Sequence, residues 1–146
     1  INDNVKLAKE IDADGVHLGQ DDLDIKAARE YLGADKIIGV SAHNVKEALE
    51  AENGGADYLG SGAAFVTSTK TDAGAIDHKV LSDVAHSVKI PVVAIGGINK
   101  DNISQLEGLG LDGVAVVSAI FAADDISSAV IDLKAKAEKV AESSVK

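Results

Sequence analysis

Cysteine, methionine and tryptophan are missing from this 146-residue sequence, proline occurs once, and aromatic residues amount to 3%. Without cysteine there is no disulfide, no thiolate nucleophile and no thiolate metal site, and a reducing, cytoplasmic setting is the expectation. With only two Phe and two Tyr, the core must be built from Val, Ile, Leu and Ala within an apolar total of 46%. Basic residues are also scarce: 14 Lys and Arg stand against 24 Asp and Glu, for a net charge of -10. No basic block interrupts that balance, so the electrostatic footprint of a nucleic-acid or anionic-membrane binder is missing. An anionic ligand would have to be held by local geometry. No run approaches the roughly 18 apolar residues of a membrane-spanning helix.

What is present is a regular alternation. "GVHLG" (15 to 19), "KIIGVS" (36 to 41), "ADYLGSG" (56 to 62), "PVVAIGG" (91 to 97) and "GVAVVSAIF" (113 to 121) read as parallel strands, apolar on both faces. Helical stripes lie between and around them: Val5, Leu7, Ala8 and Ile11; Val45, Ala48 and Leu49; Val80, Leu81, Val84 and Val88; Ile103, Leu106 and Leu109; Ala129, Val130, Leu133 and Ala137. Asn44 with Glu47 three residues on forms an Asn version of the capping box. Strand and helix in alternation imply right-handed crossovers and a parallel sheet, either doubly wound or part of a closed barrel. The phrases "DADGVHLG", "GGADYLGSG" and "GLGLDGVAVVS" repeat an Asp just before a strand, which suggests equivalent units around an axis. A TIM (β/α)8 barrel is therefore the preferred fold, with residues 1 to 146 as one domain. The opening "INDNVKLAKE" reads as a strand end running into a helix, and earlier strands are expected upstream.

In such folds the chemistry sits beyond the carboxyl ends of the strands. Those positions hold Asn2 and Asp3; Gln20, Asp21 and Asp22; Ser41 and His43; the loop "GSGAAFVTSTKTD" (60 to 72); Gly96 and Gly97; and Val117 and Ser118. Two glycines let main-chain NH groups approach a phosphate, and Val117 and Ser118 add NH groups and a hydroxyl, although a bare "GG" also serves a tight turn. Asp3 and Asp22 could each cap a helix; as a pair on adjacent strand ends they suit a Mg²⁺ that keeps waters and binds a diphosphate. Thr67 and Thr69 can donate to phosphate oxygens and Lys70 adds a cation, against the plainer reading of a solvated Ser/Thr linker. His17 reads as a hydrogen-bonded core histidine, His43 as ligand contact or cap, and His78 and His86 as solvent-facing. No acyl-transfer triad is spaced along the chain.

Taken together, "IND", "ADGVHLGQDD", "IIGVSAHNVKEALEAENGGADYLGSG", "FVTSTK", "PVVAIGGIN" and "DGVAVVSAIF" resemble the thiamine-phosphate synthase family through nearly the whole chain. The resemblance implies a TIM barrel that joins hydroxymethylpyrimidine diphosphate to a thiazole phosphate with Mg²⁺, releasing diphosphate through a dissociative step. It implies Asp3 and Asp22 as metal ligands, with Asn2, Ser41 and Lys70 on the pyrimidine diphosphate. It further implies Thr67, Ser68, Thr69, Gly97, Val117 and Ser118 around the thiazole phosphate and the diphosphate, with Lys70 and Ser41 as the catalytic pair. Two departures stand out: Ala63 and Val66 occupy places where the family has prolines, and its Gln-x-Arg-x-Lys segment is not found here. By family topology the chain starts at the end of the third strand, as a partial barrel whose open edges invite self-association and whose activity in isolation is expected to be impaired. A thiazole tautomerase acting without metal, or a non-catalytic phosphate-binding barrel fragment, are the alternatives; the first is disfavoured by Asp3, Asp22 and the TSTK loop.

Overall fold

The computed structural model of the chain describes residues 1–66 and 76–144. Their order is α1 (Val5–Glu10), β1 (Gly15–Leu18), α2 (Ile25–Leu32), β2 (Ile37–Ala42), α3 (Val45–Gly54), β3 (Tyr58–Ser61), α4 (His78–Ser87), β4 (Val92–Ile95), a 3-10 turn (Ile103–Leu106), β5 (Gly113–Ala115), α5 (Ser118–Phe121) and α6 (Ile126–Glu142). The strands form one sheet in the order β1-β2-β3-β4-β5, every pair parallel. A doubly wound sheet reverses its order at a switch point; this one never does, so each crossover steps the same way, as in consecutive units of a β/α barrel.

Right-handed crossovers that all advance in one direction put the helices on one face. Val16, Leu18, Ile38, Val40, Ala42, Leu59, Val92 and Ala94 point there and are buried, joined by Ala28, Ala48, Ala51, Leu81, Val84 and Leu133 from the helices. The other face, which a closed barrel turns inward, is only partly covered. Burial therefore alternates along β1 and β4, with Ile95 41% exposed, where the sequence suggested strands apolar and buried on both faces.

The repeated Asp has a structural cause. Asp57 donates its NH to Ile38 O at 2.8 Å and accepts the Ile38 NH on Oδ2 at 2.7 Å, which clasps the start of β3 to the start of β2. Asp112 does the same to Val92, at 2.8 and 2.7 Å. In the first copy the main chain alone acts, the Ile37 NH donating to Asp14 O at 2.9 Å. These clasps lie at the amino ends of the strands, where a β/α fold keeps its stability rather than its chemistry.

Several sequence expectations change. The fifth strand ends at Ala115, and Ser118–Phe121 is helical rather than extended. Of the stripe at 103–109 only Ile103–Leu106 is helical, as a 3-10 turn with Ile103 and Leu106 both buried. Ile25–Leu32, for which no stripe was apparent, is a helix capped by Asp24 and closed after Leu32 by Gly33 at φ 96°. In α1, Val5 and Ala8 share the buried face, while Leu7 and the capping residue Ile11 that follows the helix face outward. No described helix is long and apolar enough to cross a membrane.

Candidate functional site

Parallel strands end on one edge, and the polar positions expected from the sequence gather along it. Asn2 forms a parallel bridge with His17, and the Asp3 NH donates to His17 O at 2.8 Å, so Asp3 lies beside the carboxyl end of β1. Asp3 has φ 63°, a left-handed conformation that Asp tolerates better than most side chains. It caps nothing, since Asn4 accepts the Leu7 NH at the start of α1. Asp22 is not a cap either: Asp24 is, and Asp22 Oδ2 accepts the Gly19 NH at 2.7 Å, closing the turn that follows β1. Asp22 lines a cleft of about 180 Å³ with Gln20, Leu23, Asp24, Val40 and Glu47, and Asp3 opens onto a shallower one with Asn4, Lys6 and Leu23. Leu23 is common to both.

Among the described residues no three His, Asp or Glu side chains cluster as a metal cage. Mg²⁺ asks for less, because one or two carboxylates suffice when waters and substrate phosphates complete the octahedron. Asp3 caps no helix and Asp22 engages the Gly19 NH through Oδ2 alone, so each retains carboxylate oxygen, in neighbouring clefts that share Leu23.

Ser41 lies near the end of β2 on the face away from the helices. Its Oγ is 3.0 Å from His17 Nε2, its carbonyl accepts Gln20 Nε2 at 2.5 Å, and His17 Nδ1 is 2.9 Å from the Tyr58 hydroxyl. The sequence anticipated a hydrogen-bonded His17 but not that its partner is Ser41, nor the part of Gln20 and Tyr58. His43 belongs to the α3 cap: its NH donates to Glu47 Oε2 at 2.8 Å and its Nδ1 lies 3.0 Å from the same oxygen. Asn44 accepts the Glu47 NH at 3.0 Å and donates to Glu47 Oε1 at 2.6 Å. Burial pushes the Glu47 pKa up, but these donors outweigh it and hold the carboxyl below its ordinary value. His86 is exposed as expected; His78 instead packs edge-on against Phe65, with ring centroids 5.1 Å apart.

Gly96 and Gly97 follow β4 at φ 100° and 65°. A Cβ on Gly96 would lie 2.8 Å from Ala63 Cα, and one on Gly97 would lie 2.8 Å from the carbonyl oxygens of Phe65 and Val66. Both glycines are thus required by close main-chain approach. The NH groups of Ala64 and Phe65 donate to Ile95 O and Gly96 O at 2.8 and 3.0 Å, and the Ile76 NH returns to Ala63 O at 2.8 Å. The base of the 60 to 72 loop is therefore pinned beside Gly97, while Thr67, Ser68, Thr69 and Lys70 lie outside the described residues. Asn102 Nδ2 donates to Gly97 O at 2.9 Å and its Oδ1 accepts the Asn99 NH at 2.8 Å. That support was not read from the sequence, although two Asn three apart after the glycines is its signal. One strand over, α5 starts at Ser118 with Val117 at its cap and no side chain bonded to its first NH groups.

A family model described as thiamine monophosphate synthase matches residues 1–120. The thiamine-phosphate synthase of Clostridium acetobutylicum is 55% identical over 126 residues, 86% of this chain and 60% of that protein. Its counterpart in Clostridium beijerinckii is 51% identical over 134 residues, covering 92% and 64%. The structure of a thiamine phosphate pyrophosphorylase from Pyrococcus furiosus superposes with a TM-score of 0.85 at 47% identity, over 95% of this chain and 66% of that one. The chain thus spans a little under two thirds of the relatives it matches. It belongs to the thiamine monophosphate synthase family.

Proposed function

We propose that the protein is a thiamine-phosphate synthase, a transferase that condenses hydroxymethylpyrimidine diphosphate with thiazole phosphate to give thiamine phosphate and diphosphate. The observation that carries this reading is the gathering of Asn2, Asp3, Asp22, Ser41, Gly97, Val117 and Ser118 along one edge of the sheet. Family membership supports it, and the lack of cysteine fits action in the cytoplasm.

In this reaction the bond between the pyrimidine methylene carbon and the diphosphate oxygen breaks, and the thiazole nitrogen bonds to that carbon. Charge builds on the departing diphosphate, so the site must supply positive potential and hold the partners in line. Asp3 and Asp22 would hold Mg²⁺, which when bound neutralises diphosphate charge. Asn2 and Ser41 would fix the pyrimidine substrate by hydrogen bonds. Lys70 would meet the leaving diphosphate with its ammonium. The NH groups at Gly97, Val117 and Ser118, with the hydroxyls of Thr67, Ser68 and Thr69, would bind the thiazole phosphate, which explains how a chain of net charge -10 accepts two phosphorylated substrates. No protein nucleophile is required.

Incubating the protein with both substrates and Mg²⁺ should release diphosphate and form thiamine phosphate in equal amounts, with neither product when one substrate is withheld. Isomerisation of a thiazole phosphate without metal would replace this reading with the tautomerase. Phosphate binding without turnover, also in a chain extended upstream of Ile1, would replace it with a binding role.

A further inference from the structure

The face of the sheet away from the helices carries a layer built from three strands in register: His17 opposite Gly39, Gly39 opposite Tyr58, and Ser41 opposite Gly60. Large and small residues alternate in it. A Cβ on Gly39 would overlap the Tyr58 ring, and one on Gly60 would come within 3.0 Å of His17 Cε1. Two glycines in β2 and β3 thus make room for two rings, which sit 5.5 Å apart at 42°. Their polar atoms form a line, from the Tyr58 hydroxyl to His17 Nδ1 at 2.9 Å and from His17 Nε2 to Ser41 Oγ at 3.0 Å.

The chemistry of the three groups gives this line a direction. A phenol oxygen shares its lone pair with the ring and is a weak acceptor, while the unprotonated imidazole nitrogen is a strong one, which favours Tyr58 as the donor to His17 Nδ1. Burial pushes the Tyr58 pKa up, which keeps its proton in place. In that arrangement the imidazole proton is on Nε2 and Ser41 Oγ accepts it. We propose that His17 and Tyr58 are positioning residues that commit the Ser41 hydroxyl to donate its own proton outward, to an acceptor atom of the pyrimidine diphosphate. Gln20 complements them by holding the Ser41 carbonyl at 2.5 Å, so both oxygens of Ser41 are fixed from the β1 side. The proposal rests on the reading of Ser41 as a substrate contact.

Two measurements test it. Long-range ¹H–¹⁵N NMR of the histidine rings in the full chain should show His17 as the Nε2–H tautomer, and Tyr58→Phe should raise the share of Nδ1–H. A wild-type Nδ1–H tautomer overturns the proposal. In kinetics, His17→Gln should lower kcat/KM for the pyrimidine diphosphate about tenfold, the worth of one well-placed hydrogen bond. The same change in a Ser41→Ala background should cost less than about twofold, because a residue acting only through Ser41 has nothing left to position. Equal losses in both backgrounds overturn the proposal, as does a Tyr58→Phe variant with unchanged kinetics. The tautomer is read without substrate, so it decides the proton arrangement even if the wild type forms no thiamine phosphate, a result that would reject the reaction instead.

Discussion

Replacing Asp57 by Ala removes the acceptor for the Ile38 NH and leaves that donor at a fully buried residue. An orphaned buried NH costs about 1–3 kcal/mol, with a charged acceptor toward the upper half of that range. The same change ends the Arg29 contact, 2.7 Å long between side chains 23% and 47% exposed. Solvent screens that pair, and Arg29 keeps the Gly55 carbonyl at 2.9 Å, so its share stays below about 1 kcal/mol. The expected total is about 2–3 kcal/mol, which at a urea slope of about 2 kcal/mol/M moves the unfolding midpoint down by roughly 1–1.5 M. Asp57→Asn keeps an oxygen for Ile38 and should lose about half as much. Asp14→Ala is the control, because the first copy of the motif clasps its neighbour through the main chain alone, and the change should stay within about 0.5 kcal/mol. Urea titration of the three variants decides the matter. An Asp57→Ala midpoint indistinguishable from that of Asp14→Ala would refute the clasp.

Lys70→Ala should leave the unfolding midpoint unchanged and lower kcat by about 10²–10³, the usual loss when a charge-stabilising donor is removed; near-normal turnover would count against the diphosphate role. Asp22→Asn keeps an acceptor for the Gly19 NH, so the turn should persist while half-saturation by Mg²⁺ rises at least about tenfold; an unchanged metal titration would mean that closing the turn is all Asp22 does. Glu47 has a folded pKa below its unfolded one, so its cap contributes stability above the ordinary carboxylate range that fades as pH falls through the lowered value. Glu47→Gln should therefore narrow its stability deficit as pH drops below about 4.5, the unperturbed glutamate value, and a deficit constant from pH 7 to pH 3 would remove the carboxylate from the account.

The sheet was legible because its strands carry short, mostly apolar stretches bounded by glycine, and β1 to β4 lie where those stretches lie. The fifth run misled because "GVAVVSAIF" has no break at Ala115, and only the fold turns its end into a helix. Ile103 and Leu106 are three apart, a spacing shared by α and 3-10 geometry, so periodicity had no means of choosing. The helix α2 escaped notice because Ala28 is its sole fully buried residue. In "QDDLD" three aspartates compete for its cap, and the structure gives the cap to Asp24 and leaves Asp22 to the turn. Of the candidate site, what was legible was a set of strand-end positions. The pairing of His17 with Ser41 and Tyr58 was not, because it depends on register between strands far apart in the sequence.

Co-crystallisation of the protein with hydroxymethylpyrimidine diphosphate, a non-reactive thiazole phosphate analogue and Mg²⁺ tests the central claim most directly. The account predicts metal density between Asp3 and Asp22, the pyrimidine within hydrogen-bond reach of Ser41, and the thiazole phosphate on the NH groups of Gly97 and Ser118. Ligand density at the amino ends of the strands, or metal bound away from both aspartates, would contradict it.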